Sequence, residues 1–240
     1  FKKVFFFLFL LSAFLKAEEV ALPTGVFKSP SEKAAVLVWF HGGMSSNRCD
    51  KGLIAGKDFF ELTKKNVTVI SPSACLNNHW VSPDAVPRID NVLDSLERVF
   101  KKNIDTLFLA GVSDGALGVF TYSALGKRVV KSRLLVSGFL KFLGEPSDFE
   151  NYSKLKEGHW FFLQGAKDRL YPSSITFSWN RAFCEIPKIR CVLKEDSLGE
   201  HDWAYWQTNR SSWIFECSQE VFWIALSKNP LVKESFFLEI

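Results

Sequence analysis

Four short segments occur in the order that serine-based acyl transfer requires: His41-Gly42-Gly43-Met44, Gly111-Val112-Ser113-Asp114-Gly115, Asp168, and Gly199-Glu200-His201. A short apolar run precedes each of them. A serine hydroxyl is a weak nucleophile at its own pKa, so it needs a base within hydrogen-bond reach and a carboxylate to orient that base. Backbone N–H groups must also face the oxyanion that forms. The chain offers a candidate for every role.

Ser113 is the candidate nucleophile. Its G-x-S-x-G segment lies between an apolar strand, Thr106–Ala110, and a helix starting near Ala116, the context this motif needs to lift a serine above a sheet. The N–H of Asp114, at the helix start, is one candidate oxyanion donor. The glycine segment after the strand Ala35–Phe40 offers a second, from Gly43 or Met44. His41 is read as a brace for that segment rather than as a base.

Asp168 follows the apolar run Trp160–Gln164 through a short turn and is the favoured orienting acid, with Asp196 as its rival. Of the four histidines, His201 follows both the serine and the acid in the order Ser, Asp, His. His79 precedes the serine and His159 opens a strand, so both fit worse. Trp80, Tyr171, Trp203 and Trp206 lie near these positions and are candidate aromatic walls for a substrate. The cysteines lack the spacing of a zinc site. No metal and no cofactor are expected.

The elements that must carry these residues are legible as six strand candidates: Ala35–Phe40, Val67–Ser71, Thr106–Ala110, Ser132–Ser137, Trp160–Gln164 and Arg190–Lys194. Most are apolar on both faces, as in a parallel sheet covered by helices. Helices are expected over Arg88–Asn103, with apolar residues at 3.6 spacing, and over Ala116–Leu125, Ser173–Phe183 and Trp213–Leu226. This alternation predicts an α/β fold with a doubly wound, mostly parallel sheet. Room exists for one short leading strand at most. About 20 residues separate the strand ending at Ser137 from the one starting at Trp160, too few for a helical cap domain. The site is therefore expected to be open or covered by loops only.

Residues 1–17 read as a signal peptide: Lys2-Lys3, a run of about a dozen apolar residues, then Ala17 before Glu18-Glu19. The run is short of the ~20 residues that span a bilayer. Removing it takes the formal charge from +4 to +1, because Lys2, Lys3 and Lys16 leave with it. The remaining basic residues are scattered, so no nucleic-acid partner is expected, nor stable membrane insertion of the mature chain. Residues 18–240 are long enough, and at 47% hydrophobic over the whole chain apolar enough, for a single domain with a full core. Five cysteines in an exported chain suggest disulfides, the odd count leaving one thiol over. Cys49 with Cys75, just after neighbouring strands, is the favoured pair, and Cys184 with Cys191, across a short loop, the next. A secreted or periplasmic location follows from the signal segment.

The elbow Gly111–Gly115, the segment Asn103-Ile104-Asp105 before its strand, and His201 followed by Trp203 resemble the α/β-hydrolase superfamily. More narrowly, they are similar to secreted esterases of the polyhydroxybutyrate-depolymerase and feruloyl-esterase type. The stretch His201-Asp202-Trp203-Ala204-Tyr205-Trp206 is equally similar to the group related to esterase D. The resemblance spans roughly residues 35–226 and implies a minimal α/β-hydrolase fold. It also implies a serine esterase acting on a small-molecule or oligomeric ester. The chain shows no polymer-binding domain or linker, which argues against an insoluble polymer. An acyltransferase or peptidase using the same residues is the alternative, and a binding protein without turnover a third.

Overall fold

Runs of β-branched and aromatic residues place apolar side chains on both faces of each strand, and the sheet that results is covered on both sides. The computed structural model describes residues 22–43, 47–76 and 78–217. Residues 1–17, read above as a signal peptide, and Met44 lie outside the described residues. The strands are β1 (Thr24–Phe27), β2 (Val36–Phe40), β3 (Thr68–Pro72), β4 (Thr106–Val112), β5 (Val129–Val136), β6 (His159–Gly165) and β7 (Cys191–Asp196). They form one sheet in the order β1-β3-β2-β4-β5-β6-β7. β1 runs antiparallel to β3, and every other pairing is parallel. The helices are α1 (Lys51–Leu62), α2 (Ala85–Phe100), α3 (Asp114–Leu125), α4 (Ser173–Cys184) and α5 (Trp203–Asn209).

Period-two alternation divides the core. Val36, Val38 and Phe40 of β2 join one cluster, which includes Leu93 of α2, Phe120 of α3 and Phe183 of α4. Leu37 and Trp39 face the other way and pack with Phe59 of α1 and Trp206 of α5. Between β5 and β6 lie only three single-turn 3₁₀ segments, Leu140–Leu143, Pro146–Phe149 and Ser153–Lys156. Among the described residues, no cap domain covers the C-terminal ends of the strands.

One helix expectation is corrected in its bounds, and α1 and α5 answer to none of the four expected helices. The helix expected over Arg88–Asn103 starts earlier, at Ala85, because Pro87 is tolerated in a first turn where no intrahelical N–H bond is required. It ends at Phe100, where Lys101 turns left-handed. Helix α1 was not anticipated. Its Gly52 and Gly56 weaken helical propensity, yet a Cβ at either would stand 2.5 Å from Ser71 of β3, so close packing on the sheet excludes larger residues. Of the helix expected over Trp213–Leu226, residues 213–217 are helical, and the rest lies outside the described residues. Disulfides join Cys49 to Cys75 and Cys184 to Cys191. Among the described residues, no helix is long and apolar enough to cross a membrane.

Candidate active site

Ser113 stands between the end of β4 and the start of α3, with φ 55° and ψ −122°, a backbone conformation few side chains adopt. The turn is this tight because α3 lies directly on β2. A Cβ at Gly115 would come within 2.0 Å of the Phe40 carbonyl oxygen. The Ser113 N–H donates to Val136 O, which secures the turn on β5.

His201 bridges the serine and the acid. Its Nε2 is 2.9 Å from Ser113 Oγ and its Nδ1 is 2.9 Å from Asp168 Oδ2. The two loops that carry acid and histidine are joined by their backbones: Lys167 N–H donates to Gly199 O, and Ala166 N–H to Asp196 O. Asp168 is buried and accepts further bonds at Oδ1 from the N–H groups of Leu170 and Tyr171, and at Oδ2 from Gln164. Burial pushes its carboxyl up, but the bond from His201 and those two N–H groups outweigh it and hold the carboxyl below its ordinary value. An ionised carboxylate on Nδ1 leaves Nε2 free to take a proton from Ser113. The rival acid, Asp196, is occupied elsewhere, accepting from Tyr205 Oη and from Arg210.

His41 is a strut. Its Nε2 accepts from Ala74 N–H, its Nδ1–H donates to Gly42 O, and its carbonyl accepts from the Trp80 indole. Burial lowers its pKa, in keeping with a neutral ring. The loop it opens brings Gly42 and Gly43 beside Ser113 in a cleft of about 560 Å³. The N–H of Asp114, first residue of α3, lies next to the serine at the positive end of that helix.

The four aromatic residues read as walls divide two and two. Trp203 and Tyr171 line the cleft. Trp203 packs its ring against Trp39 and Phe59. The structure does not bring Trp80 and Trp206 to the cleft, and this corrects their reading as substrate contacts. Both are buried, 2% and 0% exposed. Each donates its indole N–H to a backbone carbonyl that positions the site, Trp80 to His41 and Trp206 to Glu200. Sequence reasoning missed the cleft wall supplied by Lys51, Ile54 and Asp58 of α1, because that helix itself was missed. It also missed Gln164, whose signal was a polar residue at the end of an otherwise apolar strand.

No family model and no curated protein matches the chain. Solved structures do share its architecture. SOBER1 of Arabidopsis thaliana is 16% identical with a TM-score of 0.56, over 77% of this chain and 99% of that one. A Bacillus cereus carboxylesterase is 11% identical, with a TM-score of 0.59 over 83% and 96%. Esterase PE8 is 18% identical, with a TM-score of 0.62 over 84% and 100%. The fold is that of the α/β-hydrolases. Within that fold the hydrogen-bonded chain Ser113–His201–Asp168 sits at the C-terminal ends of the parallel strands, where open α/β sheets bind their ligands.

Proposed function

We propose that the protein is a serine hydrolase of carboxylic esters, with Ser113, His201 and Asp168 as its catalytic triad. The observation that carries this reading is His201 standing 2.9 Å from both Ser113 Oγ and Asp168 Oδ2. Ser113 Oγ attacks the acyl carbonyl as His201 Nε2 takes its proton. The N–H groups of Asp114 and of Gly43 or Met44 stabilise the oxyanion. His201 then protonates the departing alcohol, leaving an acyl-enzyme. Water, activated by the same Nε2, releases the acid. Asp168 holds the imidazole tautomer throughout. The esterases among the structural neighbours favour this chemistry. Two disulfides support an oxidising compartment, and hence export through the leader read at residues 1–17. The uncapped cleft, walled by Trp203 and α1, suits a short acyl group or a bulky alcohol that projects into solvent.

The test is Ser113→Ala on purified protein, assayed with p-nitrophenyl acetate and with a fluorophosphonate label. Turnover should fall by several orders of magnitude and labelling should vanish, with the fold unchanged. A variant that keeps more than about a tenth of wild-type kcat, a loss under ~1.4 kcal/mol, would overturn the assignment.

A further inference from the structure

Strand β6 buries Trp160, Phe161, Phe162 and Leu163 in succession and then buries a carboxamide. Gln164 is 1% exposed, and the two ends of its amide fare differently. Nε2 donates to Asp168 Oδ2 at 3.2 Å and to the Tyr171 carbonyl at 3.3 Å. Oε1 is buried with no hydrogen-bond partner among the described residues. A buried acceptor left unpaired lowers stability, and an apolar side chain would continue the strand without that loss. The donor end is what accounts for a glutamine here. Asp168 Oδ1 is held by the N–H groups of Leu170 and Tyr171. Oδ2, which meets His201 Nδ1 at 2.9 Å, has Gln164 as its second donor. Gln164 does not line the cleft, so it reaches the reacting atoms only through Asp168.

Resting on the ester-hydrolase reading above, we infer that Gln164 is a positioning residue, its amide holding Asp168 Oδ2 against His201 Nδ1 through both halves of the reaction. A carboxylate taken out of water keeps its charge only where protein donors replace the water. Backbone N–H groups do this at Oδ1, and without Gln164 the other oxygen would meet the imidazole alone. His201 becomes an imidazolium when Ser113 Oγ attacks, and again when water attacks the acyl-enzyme. Oδ2 must face Nδ1 with its charge intact at both moments. The amide's own direction is fixed as well. Turned by 180°, it would set Oε1 against Oδ2 and against the Tyr171 carbonyl, acceptor against acceptor. One side chain thus closes the turn from Asp168 to Tyr171 onto the end of β6 and aims the acid.

Gln164→Met removes both ends of the amide and keeps an unbranched side chain of similar length. Its urea midpoint should match or exceed that of the wild type, because the unpaired Oε1 leaves with the donor. Its kcat for p-nitrophenyl acetate should fall about tenfold, the effect of one hydrogen bond to a charged group, with KM within about twofold. Gln164→Leu should show the same two signs. In an Asp168→Asn background no charge remains for the amide to hold, so adding Gln164→Met should change kcat by less than about twofold. Stability lost in step with activity makes the amide a structural tie and overturns the inference. So does an unchanged kcat, or a tenfold loss that persists in Asp168→Asn. All three outcomes leave the ester-hydrolase reading intact. A wild-type protein with neither turnover nor fluorophosphonate labelling overturns that reading itself.

Discussion

Cys49 and Cys75 are bonded to each other, so the loop that follows β2 is covalently tied to the segment that follows β3. The same two stretches meet through Ala74 N–H on His41 Nε2, Trp80 Nε1–H on His41 O, and Gly52 N–H on Ser73 Oγ. The loop that presents Gly43 to Ser113 is thus held from one side by residues 73–80.

Removing this tie should affect both stability and turnover. The disulfide closes a loop with a sequence separation of 26, which in the chain-entropy picture is worth about 3.5 kcal/mol. Cys49→Ser/Cys75→Ser should unfold at correspondingly lower denaturant and show a lower kcat with KM little changed. A double variant with wild-type kcat would show that the hydrogen bonds alone position the loop.

The two buried acids, Asp168 just after β6 and Asp196 at the end of β7, should separate cleanly. Asp168→Asn keeps the shape but removes the charge that orients His201, and should cut kcat by about 10⁴-fold. Asp196→Asn loosens Tyr205 and Arg210, so it should cost about 2 kcal/mol of stability with kcat largely kept. The reverse pattern in steady-state kinetics would assign the acid to Asp196.

Acid sensitivity should follow from Asp168 as well. Its carboxyl is held below its ordinary value in the folded protein, so its contribution to stability is complete above the unfolded pKa, about 4. That contribution is lost as pH falls through the folded value. Denaturation midpoints measured between about pH 5 and pH 2 should therefore fall more steeply for the wild type than for Asp168→Asn. Parallel curves would refute the linkage.

The absence of a cap between β5 and β6 sets a limit on acyl length. A buried methylene is worth roughly 0.8 kcal/mol, so a deep channel would raise kcat/KM several-fold for each carbon added. In the open cleft, a panel of p-nitrophenyl esters should instead peak at short chains and show no jump at the micelle threshold. Activity climbing steadily to palmitoyl would mean that something covers the site.

The sequence carried the strand order of chemistry because each step is written locally. An apolar run ending in Gly111–Gly115 can hardly be other than a strand, a tight turn and a helix, and the carboxylate and imidazole recur at later strand ends. The choice between Asp168 and Asp196 was not local. Both are buried at the C-terminal ends of neighbouring strands, and the paired backbones of the 166–168 and 199–201 segments decide which carboxylate faces the imidazole. The tryptophans make the same point. Trp203 and Trp206 lie close to His201 in sequence and Trp80 lies in a loop near the site, but burial depends on what packs above them. Helix α1, hidden by the two glycines that let it lie flat on β3, supplies a wall for Trp203, while Trp80 and Trp206 are drawn into the two faces of the core. Residue type and spacing fix which chemistry is possible; which side chains meet the substrate depends on packing between segments distant in the chain.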